Sequence, residues 1–265
     1  MFPDPVPVRG PGSGSQVLDC QQPALILTAH GSTDARSGRV SFAVADRLRA
    51  LRPNVDVRVA FCENSEPNLR TVLGSLQGPA VVTPLLLASA YHARTDIPAM
   101  IAESGAPVGQ AQTLGEDPRL VEVLRRRLAQ CQLPRTHEVG VLIVAVGSSH
   151  ATANARTATL AGALGGDWAA VRVGFATGPW ASVPEDITAL RAQGIERIVL
   201  APWFIAAGRI TDRVAVIAAQ ANALMSQPLG AHDLVAQTVA ARFDTAVRHN
   251  LHGHRVFRDP ELVAR

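Results

Sequence analysis

The sequence predicts an α/β protein: two tandem, duplicated flavodoxin-like or Rossmann-like domains whose parallel sheets face a shared cleft. Three observations carry this prediction. Short, unbroken apolar runs such as ALILTA at 24–29 and VVTPLLL at 81–87 have the pattern of strands buried on both faces of a parallel sheet. Segments with helical spacing separate these runs, giving the alternation of βαβ units. Three landmarks of the first half also return, in order, at a near-constant spacing of about 114–118 residues, the mark of an internal repeat.

Residues 1–22 carry Pro3, Pro5, Pro7 and Pro11 among glycines and read as a disordered N-terminal arm. A first domain follows over 23–133. Its strand at 25–29 leads to a helix at 38–51, in which Val40, Val44, Leu48 and Leu51 keep helical spacing. A second strand at 55–61 ends at Cys62-Glu63. The helix at 66–76 holds Pro67 in its first turn, where proline is tolerated. A third strand at 80–87 precedes a short helix at 97–103, with Asp96 as its N-cap. A weaker strand at 107–113 and an amphipathic helix at 117–131 complete the unit.

LPRTHE at 133–138 reads as a linker, after which the pattern restarts in a second domain over 138–241. VGVLIVA at 139–145 answers the first strand, and Gly147-Ser148 answers Gly31-Ser32. VRVGF at 171–175 answers VRVAF at 57–61. VLAPWFI at 199–205 answers VVTPLLL, each with Pro at its fourth position. A last strand is expected within 231–239, then a terminal helix at 242–252 inside a C-terminal segment spanning 242–265.

Bulk composition narrows the function classes. Hydrophobic content of 47% and charged content of 18% over 265 residues describe a globular chain with ample core. All 25 basic residues are arginine, yet the net charge is only +3, and no Arg-rich run with interleaved aromatics points to nucleic acid. Cys20, Cys62 and Cys131 are odd in number and lack C-x-x-C spacing, so neither a disulfide framework nor a cysteine metal motif is expected. No run has the roughly 18 apolar residues of a membrane span. Residues 1–22 also lack the apolar centre of a signal peptide, so the expected location is the cytoplasm.

The chemistry-bearing residues collect at strand ends. His30 follows the first strand, Glu63 the second and His92 the third, at the carboxyl edge where open α/β sheets bind ligands. In the second half Val146 stands in place of His30, and Arg209-Ile210 near the place of Tyr91-His92: the scaffold is kept and both histidines are lost.

The motifs LTAHGSTDARS, AFCENSEPNL and PLLLASAYHARTDIP, each following a strand, resemble the sirohydrochlorin chelatase family of class II tetrapyrrole chelatases. VGSSHATANA and PWFIAAGRITDRV resemble the second half of its long, two-domain form. The resemblance covers about residues 23–240 and implies insertion of Fe²⁺ or Co²⁺, without ATP, into a tetrapyrrole of siroheme or cobalamin synthesis. The metal is then a substrate and no cofactor is required. The family's two histidines fall on His30 and His92, as metal ligands and bases; the cysteine-rich cluster motif of some long members is absent.

Elementary chemistry agrees with that implication. Two pyrrole N–H protons must leave as the metal enters, and neutral imidazole serves both as ligand and as base. Glu63 can accept protons or complete the metal shell. The tetrapyrrole carries eight carboxylates, which makes Arg36, Arg39, Arg94, Arg209 and Arg213 candidate partners for bidentate pairing. Ser32, Ser89 and Tyr91 share the same loops and join the expected substrate contacts. The two serines are read as bonding loop backbone, since no G-x-S-x-G elbow supports a nucleophile. Gly31 and Gly208 are expected to let backbone approach a flat ligand. His249, His252 and His254 read as a solvated tail, and His137, His150 and His232 lack supporting context. A non-catalytic tetrapyrrole or metal carrier is the rival reading. A nucleotide-binding protein fares worse, because no strand is followed by a phosphate-cradling glycine motif. The chain is expected to work as a monomer or homodimer.

Overall fold

A computed structural model of the chain describes residues 22–89, 91–133, 135–180 and 182–252. The expected arm (apart from Gln22) and the tail beyond residue 252, with His254, lie outside the described residues.

Two four-stranded parallel sheets are present. The first contains β1 (Ala24–Ala29), β2 (Val57–Phe61), β3 (Ala80–Pro84) and β4 (Val108–Gln110), in the order β2-β1-β3-β4. The second contains β5 (Val139–Ala145), β6 (Ala170–Phe175), β7 (Arg197–Pro202) and β8 (Leu224–Met225), in the matching order β6-β5-β7-β8. β1 and β5 are buried along their whole length, as the central strands of sheets covered on both faces must be. β3 and β7 each end at the proline of the repeat, Pro84 and Pro202, which lacks an N–H to continue a ladder.

The duplication extends to single hydrogen bonds. Leu85 N–H donates to Thr28 O at 2.8 Å, and Trp203 N–H to Val144 O at 2.8 Å. Leu114 and Gly115 donate to Leu86 and Leu87 carbonyls, as Leu229 and Gly230 do to Phe204 and Ile205.

The first half's helices are α1 (Ala35–Leu51), α2 (Leu69–Gly74), α3 (Ile97–Ser104) and α4 (Pro118–Ala129). α1 starts earlier than its apolar spacing indicates because Asp34 caps it, accepting from Arg36 N–H. α2 starts later, at Leu69, because Asn68 and not Glu66 is its cap. The second half has α5 (Ala151–Ala158), α6 (Leu160–Leu164), α7 (Val183–Ala192), α8 (Arg209–Gln220) and α9 (Asp233–His252).

α9 corrects the expected strand within 231–239. His232 accepts the Leu234 N–H through Nδ1 and starts a single helix there. The apolar Val235, Val239 and Phe243, spaced i, i+4, i+8, are one buried helical face, not a strand.

That helix packs away from its own sheet. α9 lies against α1, β3 and β4 of the first half, while α4 lies against α6 and β7 of the second. The two halves have exchanged their last helices. One contiguous core therefore runs through both, joining Leu25, Leu27, Val44 and Phe243 to Leu124, Val141 and Leu160. Arginines fasten the exchange: Arg242 of α9 donates to Thr113 O and Leu114 O, and Arg125 of α4 to Ala163 O and Leu164 O. The linker at 133–138 thus separates the sheets in sequence but not the core in space. Among the described residues no helix is long and apolar enough to cross a membrane.

Candidate active site

Strand order places the three edge residues. Because β1 lies between β2 and β3, the side chains after these strands fall side by side as Glu63, His30 and His92. His30 Nε2 lies 3.2 Å from Glu63 Oε1, and the rings of His30 and His92 have centroids 4.1 Å apart, tilted by 46°.

The loop that holds Glu63 depends on a glycine. Cys62 and Glu63 N–H groups donate to Ala29 and His30 carbonyls at 3.0 Å each, drawing the β2 loop tightly against the β1 loop. At Gly31 (φ +95°) a Cβ would meet the Glu63 carbonyl oxygen at 1.7 Å, so only glycine fits. The expectation that Gly31 admits a flat ligand is corrected: it admits the neighbouring loop. Gly208 has extended backbone (φ 178°) that any residue adopts, so it too carries no such requirement.

His92 opens one turn of π-helix, His92–Asp96, closed by the Ile97 N–H to the His92 carbonyl. Such turns often occur at functional sites. Here the turn brings Asp96 Oδ2 to 2.6 Å from His92 Nδ1. Asp96 is therefore not the N-cap of α3: its backbone is already helical, and its side chain makes no cap bond. With Nδ1 held by the carboxylate, Nε2 is the nitrogen of His92 left for other chemistry. The i, i+4 spacing in HARTD was the sequence signal for this pair.

Burial and the neighbouring His92 push the His30 pKa below 6.5, while Glu63 and Asp96 pull it back up. His30 Nδ1 is buried and has no protein partner. Burial first, then Asp96 and Glu63, raises the Cys62 thiol to about 11, so Cys62 beside the site is an inert thiol. Among the described residues no three or more His, Cys, Asp or Glu side chains converge as a metal cage. Two imidazoles flanked by two carboxylates can make a weak, open metal contact and can take up protons.

Two adjoining cavities of about 510 and 520 Å³ lie over this edge and share His30, Leu85, Leu86, Val146, Phe204 and Ile210 in their linings. They form one cleft, with the histidines on the first half's side and an apolar wall on the second's. Tyr91, 59% exposed, lines it edge-on to His92 at 6.1 Å. Ser32 lines it too, and bonds loop backbone as expected: its Oγ accepts from Asp34 N–H. Ser89 lies outside both linings, where its Oγ accepts from Arg94 Nε at 3.3 Å.

The arginines divide. Arg209 lines the cleft. Arg36 does not stand free: its guanidinium is held by Asp34 (2.6 Å) and by Asp212 of α8 (2.6 Å), a link across the mouth of the cleft. Its charge is already neutralised, and the Asp34 carboxyl is held down at about 2. Arg39 and Arg213 are exposed, outside both linings. They sit three residues beyond Arg36 on α1 and four beyond Arg209 on α8, about 4.5 and 6 Å further along the helices at helical rise. Arg94 reaches a neighbouring cavity instead. His249 is exposed on α9.

The CbiX family model matches residues 24–131 and again 140–246, once per half. The chain belongs to the CbiX family. That membership makes it a sirohydrochlorin chelatase-type enzyme, one that inserts metal into a tetrapyrrole. The sirohydrochlorin cobaltochelatase of Methanosarcina acetivorans is 28% identical over 122 residues, covering 40% of this chain and 94% of that protein. The sirohydrochlorin ferrochelatase of Priestia megaterium is 22% identical over 254 residues, covering 89% of this chain and 94% of that one. In structure, SirB from Bacillus subtilis with Fe³⁺ superposes with a TM-score of 0.74 at 20% identity, covering 88% of this chain and 98% of the other. The last comparison bears on the fold: tandem parallel-sheet halves around a cleft.

Proposed function

We propose that this CbiX-family chain inserts Fe²⁺ into sirohydrochlorin to form siroheme, with His30 and His92 as the working pair. The observation that carries the reading is the tilted imidazole pair, 4.1 Å between centroids, set opposite an apolar wall. The macrocycle lies in the cleft against Val146, Phe204 and Ile210. His92 offers Nε2 to the incoming metal, its ring held by Asp96 through Nδ1. His30, kept neutral by burial, takes up the pyrrole protons, and Glu63 at 3.2 Å relays them towards solvent. Each turnover releases two protons for one divalent cation bound, so charge balances. Weak metal contact suits the task, because a tight cage would retain its ion.

Iron is favoured because a relative matched across both halves is a ferrochelatase, whereas the cobaltochelatase matches 40% of the chain. Co²⁺ for cobalamin synthesis is the second reading. Both walls of the cleft come from one chain, so the site is complete in a monomer or a homodimer. The free thiols Cys62 and Cys131 accord with a reducing cytoplasm, where Fe²⁺ persists. The test is anaerobic insertion by purified protein with Fe²⁺ or Co²⁺ at equal free concentration. A higher kcat/KM with Fe²⁺ supports the reading. A preference for Co²⁺ replaces it with the second. Tight tetrapyrrole binding without turnover would make the chain a carrier.

A further inference from the structure

The cleft continues sideways into space that the histidines do not reach. Leu87, Ala88 and Ala153 line both the 510 Å³ cavity and a narrow neck of about 80 Å³ beside it. Through Ser89, Thr113, Gly115, Glu116 and Arg156 the neck opens into a polar cavity of about 1000 Å³. Two arginines enter the neck from opposite halves: Arg94 from the π turn of the first and Arg156 from α5 of the second.

We infer that Arg156, paired with Arg94 across this neck, binds a peripheral carboxylate of the tetrapyrrole and selects for a polycarboxylate macrocycle. The inference rests on the chelatase reading and names a contact on the second half. Arg156 is 72% exposed, whereas the acid beside it, Glu116, is 16% exposed. Glu116 accepts the Thr157 hydroxyl at 3.2 Å and stays 3.9 Å from Arg156, beyond hydrogen-bond length. The face turned to the neck is therefore cationic, despite the acid in its wall. Among the described residues Arg94 is committed only to a 3.3 Å bond from Nε to Ser89, which leaves its terminal nitrogens for a ligand. The third basic group nearby, Arg242, is spent on the Thr113 and Leu114 carbonyls and on Asp117. Two guanidinium groups flanking a slot next to the macrocycle's bed suit a carboxylate, which accepts forked N–H pairs. With an uncharged rim substituent, Glu116 would be the one carboxylate facing two guanidinium groups across the neck.

The test is equilibrium binding of metal-free tetrapyrroles to the full chain, read by tetrapyrrole absorbance, with thermal unfolding as the folding control. R156Q should weaken uroporphyrin (an octacarboxylate) and sirohydrochlorin by about five- to tenfold, and R156K should recover part of that loss. Binding of mesoporphyrin, a dicarboxylate, should change less than twofold. In turnover the KM for sirohydrochlorin should rise while the KM for the metal stays put. Equal weakening of uroporphyrin and mesoporphyrin, or no weakening of either, overturns the inference. Wild-type protein that binds sirohydrochlorin through Arg156 but inserts no metal overturns the chelatase reading and leaves this contact standing.

Discussion

The two halves share a backbone and differ at three strand ends. β1, β2 and β3 lead into His30, Glu63 and His92; their counterparts lead into Val146, Thr177 and Ile210. The hydrogen bonds beneath are the same. Glu63 N–H reaches His30 O at 3.0 Å, and Thr177 N–H reaches Val146 O at 2.9 Å. Gly31 and Gly147 both take positive φ (+95° and +94°), and a Cβ at Gly147 would meet the Thr177 carbonyl oxygen at 2.6 Å. The difference teaches that backbone geometry constrains these loops while their side chains diverge. One edge keeps titratable groups, and the other presents Val146 and Ile210 to the cleft.

The sharpest way to break this comparison is to truncate both edges. His92→Ala and His30→Ala should each lower insertion turnover by about 10²–10⁴-fold, the scale of general acid–base contributions, with little change in melting temperature. Val146→Ala and Ile210→Ala should act mainly on the KM for the tetrapyrrole, severalfold. Initial rates under anaerobic conditions decide, and equal losses at the two edges would dissolve the distinction.

The exchanged helices offer the next test. Phe243 is buried against the first half although it belongs to the second. Phe243→Ala should cost about 3–5 kcal/mol, the usual range for emptying a packed aromatic site. Both sheets should then unfold in one transition in denaturant, because the core is continuous. Two separated transitions would mean that the halves are independent after all.

A third measurement separates Asp96 from a capping role. Asp96→Asn should reduce turnover by about 10–100-fold, the range for losing the partner that orients a ligand histidine. Helix stability should hardly change, since no cap bond is lost.

The smallest expected effect is on pH. His30 has a pKa lowered from 6.5, so its neutral form predominates above that value and is lost as pH falls. Activity should therefore decline on the acid side, below about pH 6.5, and the neutral ring's contribution to folding should fall in the same window. Glu63 favours the protonated ring, so Glu63→Gln should move the acid limb to lower pH, visible in kcat/KM against pH. A limb that stays in place would remove Glu63 from the neighbourhood of the titrating group.

Much of this was legible in the sequence, for a physical reason. Apolar runs and helical spacing report local periodicity, and the repeat of about 114–118 residues reports the duplication without reference to any partner. Because strands carry their own hydrophobic signature, the ends of those strands, and so His30, Glu63 and His92, could be located as well. The misread elements are those whose local pattern is ambiguous. Residues 231–239 are apolar enough for a strand, and only packing on α1 and β3 selects the helix. Asp96 suits a cap by type, and only the π turn shows its carboxylate turned to His92.

Charge was the least legible feature. From sequence, five arginines were equal candidates for the acidic rim. Which guanidinium groups remain free depends on where acids from distant segments arrive: Asp212, 176 positions beyond Arg36, neutralises it, and Arg209 alone of the five lines the cleft. Arg156 had no sequence signal, since its place opposite Arg94 follows from how the second sheet sits on the first. The sequence by itself determined the two sheets, their repeat and the histidine edge, because short-range periodicity suffices for those. The exchange of α4 and α9, the His92–Asp96 pairing and the identity of the free cations were decided by tertiary structure, because each depends on contacts between residues that only the assembled core brings together.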